Sequence, residues 1–591
     1  MRTPIYDYVN QYLAANPTRL HMPGHKGVGP LGCEDRDITE IPGADSLYEA
    51  DGIIAESEQN ASALFGCPTF YSAEGSSHCI RAMLFLAMQQ KAFPLRGRCP
   101  SAHTGADEVS PQEQDGIVPG HSERSEAENR PASPRPARPF RVLAARNVHR
   151  SFLTAAALLD LDVVWLPTAA GSYLTADVSP QALDAALTET PADAVYLTCP
   201  DYLGSLPELQ PLAEVCHAHG VLLLVDNAHG AYLRFLRPSR HPMDLGADLC
   251  CDSAHKTLPV LTGGAYLHVS PRLQLPPAAV RDALALFGST SPSYLILQSL
   301  DLANPFLERL PDLLEALLPK LDAARRQLTA AGYRLYGSEP LKLTLDLRRT
   351  KTHVGTSIAC PQFTAASDQM RVGTSIACPQ FIAPPDQMHV GTSIACPQSA
   401  AEPDQMRVGT SIACPQSAAE PDQMHVGTSI ACPQFTAPPD QSHVGTSIAC
   451  PPFEDRCLTG TALARHLEAA GIWCEFADPD FLVCMLTPRT TDEDLARLLR
   501  CLCALRVEID PACPDAARPE ALIETVCSIR EAMLAPCVRV SADDSLGKVL
   551  ARPGVSCPPA VPIRMPGERI DEAALAAFRT YGITACDVIM E

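Results

Sequence analysis

VLLLVDNAHGA at residues 221–231 and ADLCCDSAHKTLPVLTGGA at 247–265 decide how this chain folds. The first is an unbroken apolar run that stops on Asp226, with His229 three residues later; the second gives way to Ser253, His255 and Lys256. Short apolar runs without alternation belong to strands buried on both faces, the habit of a parallel sheet covered by helices. Runs of the same kind stand upstream in FRVLAA (140–145), DVVWLP (162–167) and DAVYLT (193–198), and LPELQPLAEVCHAHG (206–220) carries a helical pattern between two of them. Strand, helix, strand at this spacing predicts βαβ units: an α/β fold with a mostly parallel sheet and helices on both faces.

Working outward, the pattern changes after residue 304. A long helix is predicted over 310–331, a strand at LKLTLDL (341–347), a helix over 460–470 and an apolar strand at FLVCMLTP (481–488). The expected organisation is an N-terminal segment (1–50), a large domain (51–304), a smaller α/β domain (305–510) and a C-terminal domain (511–591). Two stretches interrupt it. Residues 96–139 are rich in Pro, Ser, Glu, Gly and Arg without hydrophobic period, and are expected to be a disordered insertion. Residues 353–453 repeat with an 18-residue period, as HVGTSIACPQFTAASDQM, RVGTSIACPQFIAPPDQM and four further copies, the last cut short. Each unit offers one short apolar run, VGTSIAC, so a flexible insertion is expected rather than a stacked solenoid. Arg replaces His in two of the copies, which argues against a metal site built from the repeat, and no metal is expected elsewhere.

Composition narrows the function. A net charge of −22 with no basic stripe excludes a nucleic-acid footprint. No run of about 18 apolar residues predicts a membrane span, and residues 1–15 lack the apolar core of a signal peptide. A cytoplasmic protein acting on a small molecule is expected. Of 24 cysteines, six lie in the repeat and the rest are scattered without zinc-type pairs, so reduced thiols are expected.

Ligands in parallel α/β sheets sit beyond the carboxyl ends of the strands, and three features collect there. Asp226 and His229 follow one strand; Ser253, His255 and Lys256 follow another; Gly75, Ser76 and Ser77 in YSAEGSSHCIRAMLFLAM (71–88) precede a helical apolar pattern. Taken singly these read as a cap, a surface lysine and an N-cap. Taken together, small hydroxyl residues at a helix N-terminus, a carboxylate and a lysine are what pyridoxal 5'-phosphate requires.

The chain resembles the ornithine/lysine/arginine decarboxylase family, with its aspartate-aminotransferase-like fold, and in particular shorter members without an N-terminal wing. The matching stretches are LHMPGHKG (20–27), DITEIPGADSLYEADGII (37–54), ARNVHRS (145–151), VDNAHGA (225–231), SAHKTLPVLTGGAYLH (253–268) and STSPSYLILQSLD (289–301). PLKLTLDL (340–347), EFADPDFLVCMLTP (475–488), SIREAM (528–533) and VPIRMPGERI (561–570) continue it. The resemblance implies that Lys256 holds pyridoxal phosphate covalently and that Asp226 partners its ring nitrogen. It implies further that His149 stacks on the ring, that His229 lies near its phenolic oxygen, and that His255 lies near the reacting carbon. Gly75, Ser76, Ser77 and Ser253 would hold the phosphate, with Thr290 from a neighbouring subunit of a homodimer. Glu568 in the Pro-Gly-Glu motif would contact a distal substrate ammonium.

The chain departs from the family at Asp226-Asn227-Ala228-His229 (usually Asp-Glu-Ala-His), at Glu74, at Cys199 and Asp201, and at Cys557-Pro558-Pro559-Ala560. The implied reaction is decarboxylation of lysine, arginine or ornithine. The rivals are transamination or other Cα chemistry, for which Arg564 or Arg569 would clamp the carboxylate, and a non-catalytic homologue using the repeat as an interaction surface.

Overall fold

Seven strands form the sheet that carries the site: β1 (Thr69–Ser72), β2 (Arg141–Ala144), β3 (Asp162–Trp165), β4 (Ala194–Thr198), β5 (Leu222–Asp226), β6 (Leu249–Asp252) and β7 (Ala265–Val269). Their order is β1-β7-β6-β5-β4-β2-β3. Strands β3, β2, β4, β5 and β6 pair in parallel, and β7 alone runs antiparallel to its neighbours. The computed structural model describes residues 1–92, 138–166, 172–352, 456–512, 523–556 and 560–590. The 353–453 repeat, and all but the last two residues of the expected 96–139 insertion, lie outside the described residues.

Successive side chains of each strand go to opposite cores, as the period of two demands. Val142, Ala144, Tyr196, Leu224, Leu249 and Cys251 pack on one face, while Leu143, Val195, Leu197, Leu223, Val225 and Cys250 pack on the other. Helices α1 (Pro4–Ala14) and α2 (Ile53–Phe65) come first in the chain; one face of the sheet is covered by α3 (Ser76–Ala92) and α4 (Arg150–Leu159), the other by α5 (Pro180–Glu189) and α6 (Leu209–Ala218), so both faces are buried except along the edge strand β3. The mostly parallel sheet read from the sequence is therefore the one observed, with strand ends within a residue or two of those predicted.

The predicted helix over 310–331 proves to be a little over the C-terminal half of a 37-residue helix, Tyr294–Ala330. Pro305, Pro311 and Pro319 lie inside it, each of which costs a helix interior about 3 kcal/mol. What overrides them is a stripe at 3–4 residue spacing: Leu300, Leu307, Leu310, Leu314, Leu317, Leu321, Ala324 and Leu328 are all buried. Burial of each leucine returns about 2 kcal/mol, so the stripe wins. The domain boundary expected at 304 falls within this continuous helix.

Beyond it lies an antiparallel sheet in the order Phe476–Ala477, Phe481–Met485, Lys342–Asp346, Arg334–Tyr336. The C-terminal residues add two strand pairs, Cys537–Ser541 with Ala585–Ile589 and Gly554–Ser556 with Val561–Arg564. Ile529 and Met565 carry this part into the core beneath α4. Fourteen described cysteines are free, but Cys457 is disulfide-bonded, which corrects the expectation of reduced thiols at that position.

Candidate active site

Parallel pairing brings the carboxyl ends of β4, β5 and β6 side by side: Thr198 is in register with Asp226, and Asp226 with Cys251. The segments that leave these strands converge. Ser253 follows β6 and caps the single helical turn Ala254–Thr257 that carries His255 and Lys256. His149 is the N-cap of α4, and Ser76 and Ser77 open α3 after β1.

The hydroxyls form two hydrogen-bonded pairs whose members Ser76 and Ser77 are neighbours at the start of α3. Ser253 Oγ donates to Ser76 Oγ at 2.7 Å, and the Ser77 and Ser151 hydroxyls are 2.6 Å apart. His149 Nδ1 accepts from the Ser151 backbone N–H at 3.2 Å and lies 2.8 Å from the Ser151 hydroxyl, so its neutral ring carries the proton on Nε2. Gly75 precedes the patch with φ +76°, and a Cβ there would meet nothing within 4 Å. The Ser76 and Ser77 N–H groups at the start of α3, beside four serine hydroxyls and the open backbone at Gly75, make a cradle suited to an anion.

Lys256 Nζ lies 2.9 Å from His229 Nε2. Burial pushes the Lys256 ammonium towards its neutral amine, opposed by the charges of Asp226 and Glu475. His229 is driven well below the usual histidine range, first by burial and then by Lys256 and Lys342, so its ring is neutral; its Nδ1 is buried without a hydrogen-bond partner among the described residues. His149 is pushed down to about 4 by burial, with Lys256 and Arg150 adding to the effect. The Asp226 carboxylate is 2% exposed; it accepts from Tyr196 Oη at 3.2 Å and from the Ala228 N–H at 3.1 Å. Burial raises its pKa, and the Lys256 charge works the other way. His255 Nδ1 donates to the Gly264 carbonyl at 3.0 Å, which leaves Nε2 as the unprotonated nitrogen of a ring whose pKa burial lowers.

A buried network braces these strand ends. Asn227 Nδ2 donates to Asp252 Oδ1 at 2.6 Å, and His241 Nε2 (3.1 Å) and His268 Nε2 (3.0 Å) both donate to Oδ2. Burial opposes the Asp252 charge, yet the two imidazoles hold the carboxyl well below its usual range, and Asp252 in turn raises His268 against its burial. These three side chains are the one group of His and Asp ligand-type atoms within 4.8 Å of one another among the described residues. Hydrogen bonds account for their spacing. Asn227, which stands where the family has Glu, thus ties the residue after Asp226 to the residue before Ser253.

Glu568 and Thr290 lie apart from this group. Glu568 is 1% exposed, and Arg146 grips it with Nη1–Oε1 at 2.8 Å and Nη2–Oε2 at 2.9 Å, while the Met565 N–H donates to Oε2 at 2.9 Å. Its oxygens face protein donors, in an ion pair joining the C-terminal part to the β2–α4 connection. Thr290 is exposed, next to Ser289, whose N–H donates to the Glu74 carboxylate. Residues the sequence did not single out also belong here: Ser151, Tyr196, Tyr202 and Glu475. Ser151 lay inside the ARNVHRS stretch already quoted, Tyr196 inside DAVYLT and Glu475 at the head of EFADPDFLVCMLTP, but their place in the site is set by packing, as is that of Tyr202.

Comparison with known proteins bears on the family and the fold. Residues 138–331 match the family model described as "Orn/Lys/Arg decarboxylase, major domain". The chain is 27% identical over 374 residues to the uncharacterized protein YaaO of Bacillus subtilis, covering 59% of this chain and 68% of that one. It is 27% identical over 345 residues to an arginine decarboxylase of Halalkalibacterium halodurans, covering 56% of this chain but only 60% of the relative's length. Among solved structures, the Francisella novicida lysine decarboxylase LdcF aligns with a TM-score of 0.62 at 13% identity, covering 100% of this chain and 81% of that one. The constitutive lysine decarboxylase of E. coli aligns with a TM-score of 0.60 at 13% identity, covering 100% and 82%. At that identity the likeness is one of fold, the mostly parallel sheet with helices on both faces.

Proposed function

We infer that this chain, which belongs to the Orn/Lys/Arg decarboxylase family, is a pyridoxal-phosphate-dependent decarboxylase of a basic amino acid, lysine, arginine or ornithine, acting as a homodimer. The observation that carries the reading is the convergence of Lys256, His229 and Asp226 with the serine patch of Ser76, Ser77 and Ser253 at the carboxyl ends of neighbouring strands. The donor set fits the cofactor. The hydroxyls and the α3 N-terminus would hold its phosphate, the buried Asp226 carboxylate its ring nitrogen, and the unpartnered His229 Nδ1 shows a polar position built for more than this chain supplies. When bound, pyridoxal phosphate supplies an electron sink for the pair released as a bond at the substrate Cα breaks.

The chain's own residues do the rest. Burial keeps a fraction of Lys256 as the free amine, the form that acts as a nucleophile. The neutral His149 ring, fixed through Nδ1 by Ser151, presents a flat face without charge. His255 Nε2, unprotonated because Nδ1 is committed to Gly264, is the atom positioned to exchange a proton with substrate. Of the two arginines considered for a transaminase-type carboxylate clamp, Arg569 is paired with Glu524 at 2.9 Å, while the fully buried Arg564 donates to Asp571 at 2.7 Å through one nitrogen and keeps Nε and Nη1 without a partner among the described residues. Thr290, exposed on its connection, would reach a phosphate across the dimer interface.

The test is reconstitution with pyridoxal phosphate, visible absorbance, and carbon dioxide release from lysine, arginine and ornithine, with Lys256→Ala alongside. A visible cofactor band and carbon dioxide from one substrate are expected, both lost in Lys256→Ala. A wild-type protein that takes up cofactor but forms keto acid without carbon dioxide would replace decarboxylation by transamination. One that takes up no cofactor would overturn the reading.

A further inference from the structure

We propose that Glu475 reads the distal positive charge of the substrate, contacting the side-chain ammonium or guanidinium of the basic amino acid; this rests on, and deepens, the decarboxylase reading above. A cationic side chain brought into a partly desolvated cleft needs a carboxylate beside it. Glu568 is committed to Arg146. Asp226 lies at the buried end of β5, bound by Tyr196 and the Ala228 N–H.

Glu475 is placed otherwise. It stands immediately before the strand Phe476–Ala477 and is exposed, at the end of a chain of contacts that begins at Lys256. Lys256 Nζ meets His229 Nε2 at 2.9 Å; the His229 ring meets the Tyr202 ring edge-on with centroids 5.0 Å apart; Tyr202 Oη donates to Glu475 Oε1 at 2.7 Å. Tyr202 is itself clamped, by the Phe476 ring at 5.4 Å and by Lys342 Nζ, which donates to the Asp201 and Tyr202 carbonyls at 2.9 and 3.3 Å. Glu475 Oε1 is therefore held in one direction, and among the described residues no donor engages Oε2. The charge of Glu475 also reaches Lys256 and Lys342, where it favours the ammonium form of each.

The arrangement fits an extended basic amino acid. Its α-amino end belongs at Lys256, and its side chain would run past His229 and Tyr202 to a carboxylate oriented by a phenol. A neutral side chain of the same length gains nothing from the carboxylate, so the device selects by charge.

The experiment compares wild type, Glu475→Gln and Glu475→Asp, each loaded with pyridoxal phosphate. It measures carbon dioxide release and, separately, on the same enzymes reduced with borohydride so that they cannot turn over, calorimetric binding of arginine, lysine and ornithine against their neutral counterparts citrulline and norleucine. Glu475→Gln is expected to retain wild-type cofactor content, to raise KM and Kd for the preferred cationic substrate about 10- to 100-fold, to leave citrulline and norleucine within about twofold, and to be partly rescued by Asp. Equal losses for charged and neutral ligands, or no loss for either, would overturn the proposal. Because binding is read without turnover, a wild-type protein that binds basic amino acids yet releases no carbon dioxide refutes the reaction and still tests Glu475. A protein whose binding ignores the side-chain charge refutes Glu475 alone.

Discussion

Breaking the Arg146–Glu568 pair is the sharpest test of how the C-terminal part is attached. The carboxylate is 1% exposed and accepts three donors, two from the guanidinium at 2.8 and 2.9 Å and one from the Met565 N–H. Arg146→Met keeps most of the packing on Trp165, whose ring centroid lies 5.3 Å from the guanidinium carbon, but leaves Glu568 buried with a single backbone donor. Removal of one partner from a buried ion pair costs about 3–5 kcal/mol, and two charge-assisted bonds at about 1.5–3 kcal/mol each give the same scale. Glu568→Gln leaves the opposite charge on Arg146, which is a quarter exposed and can be hydrated, so about 2 kcal/mol is expected. Arg146→Met with Glu568→Leu removes both charges and should lose less than Arg146→Met alone, with a coupling of about 2–3 kcal/mol. Trp165 is one of two tryptophans, and the other, Trp473, is exposed, so urea unfolding followed by fluorescence reports on this contact. If Glu568→Gln left stability within about 0.5 kcal/mol of wild type and instead raised KM for a basic amino acid tenfold, the ion pair would not be the residue's role. The substrate contact expected from the sequence would then be restored.

The other predictions concern the site and its supports. In Lys256→Ala the histidine His229 should titrate at higher pH than in wild type, because Lys256 is, after burial, the leading cause of its depressed pKa; NMR of the imidazole protons in the cofactor-free protein checks this. Asp252→Asn should flatten the pH dependence of stability. The raised pKa of His268 contributes stability that is full below the ordinary histidine value of 6.5 and lost as pH rises through the folded value, while the depressed Asp252 contributes above 3.8 and loses it as pH falls. Wild type should therefore weaken from about pH 6.5 upward and the variant should not, as denaturation midpoints across that range would show. Leu321→Ala, in the buried stripe of the 37-residue helix, should cost about 2–5 kcal/mol, whereas the same change at the exposed Leu302 should cost under about 0.5 kcal/mol.

The strands β2 to β6 were legible because burial on both faces leaves an unbroken apolar run, and the strand-end residues Asp226, Ser253 and Lys256 were legible because topology places strand ends at the ligand. Local spacing found the helix over 310–331 but not its true start: Pro305 and Pro311 are breakers by any local rule, and only the buried stripe against which they are balanced shows otherwise. Glu568 stood in a recognisable motif, yet its partner is 422 residues away along the chain. Tyr202 and Glu475 lie 273 residues apart, and the strand register that joins Asn227 to Asp252 is likewise a matter of pairing.

The sequence by itself determined the α/β class, the mostly parallel sheet and the residue types gathered at its edge, since these follow from periodicity and adjacency along the chain. The tertiary structure alone decided which charges meet. It gave Glu568 to Arg146, Asp252 to two histidines and Glu475 to Tyr202, because a carboxylate's partner is chosen by distance and burial in space, and neither quantity is written in the order of the residues.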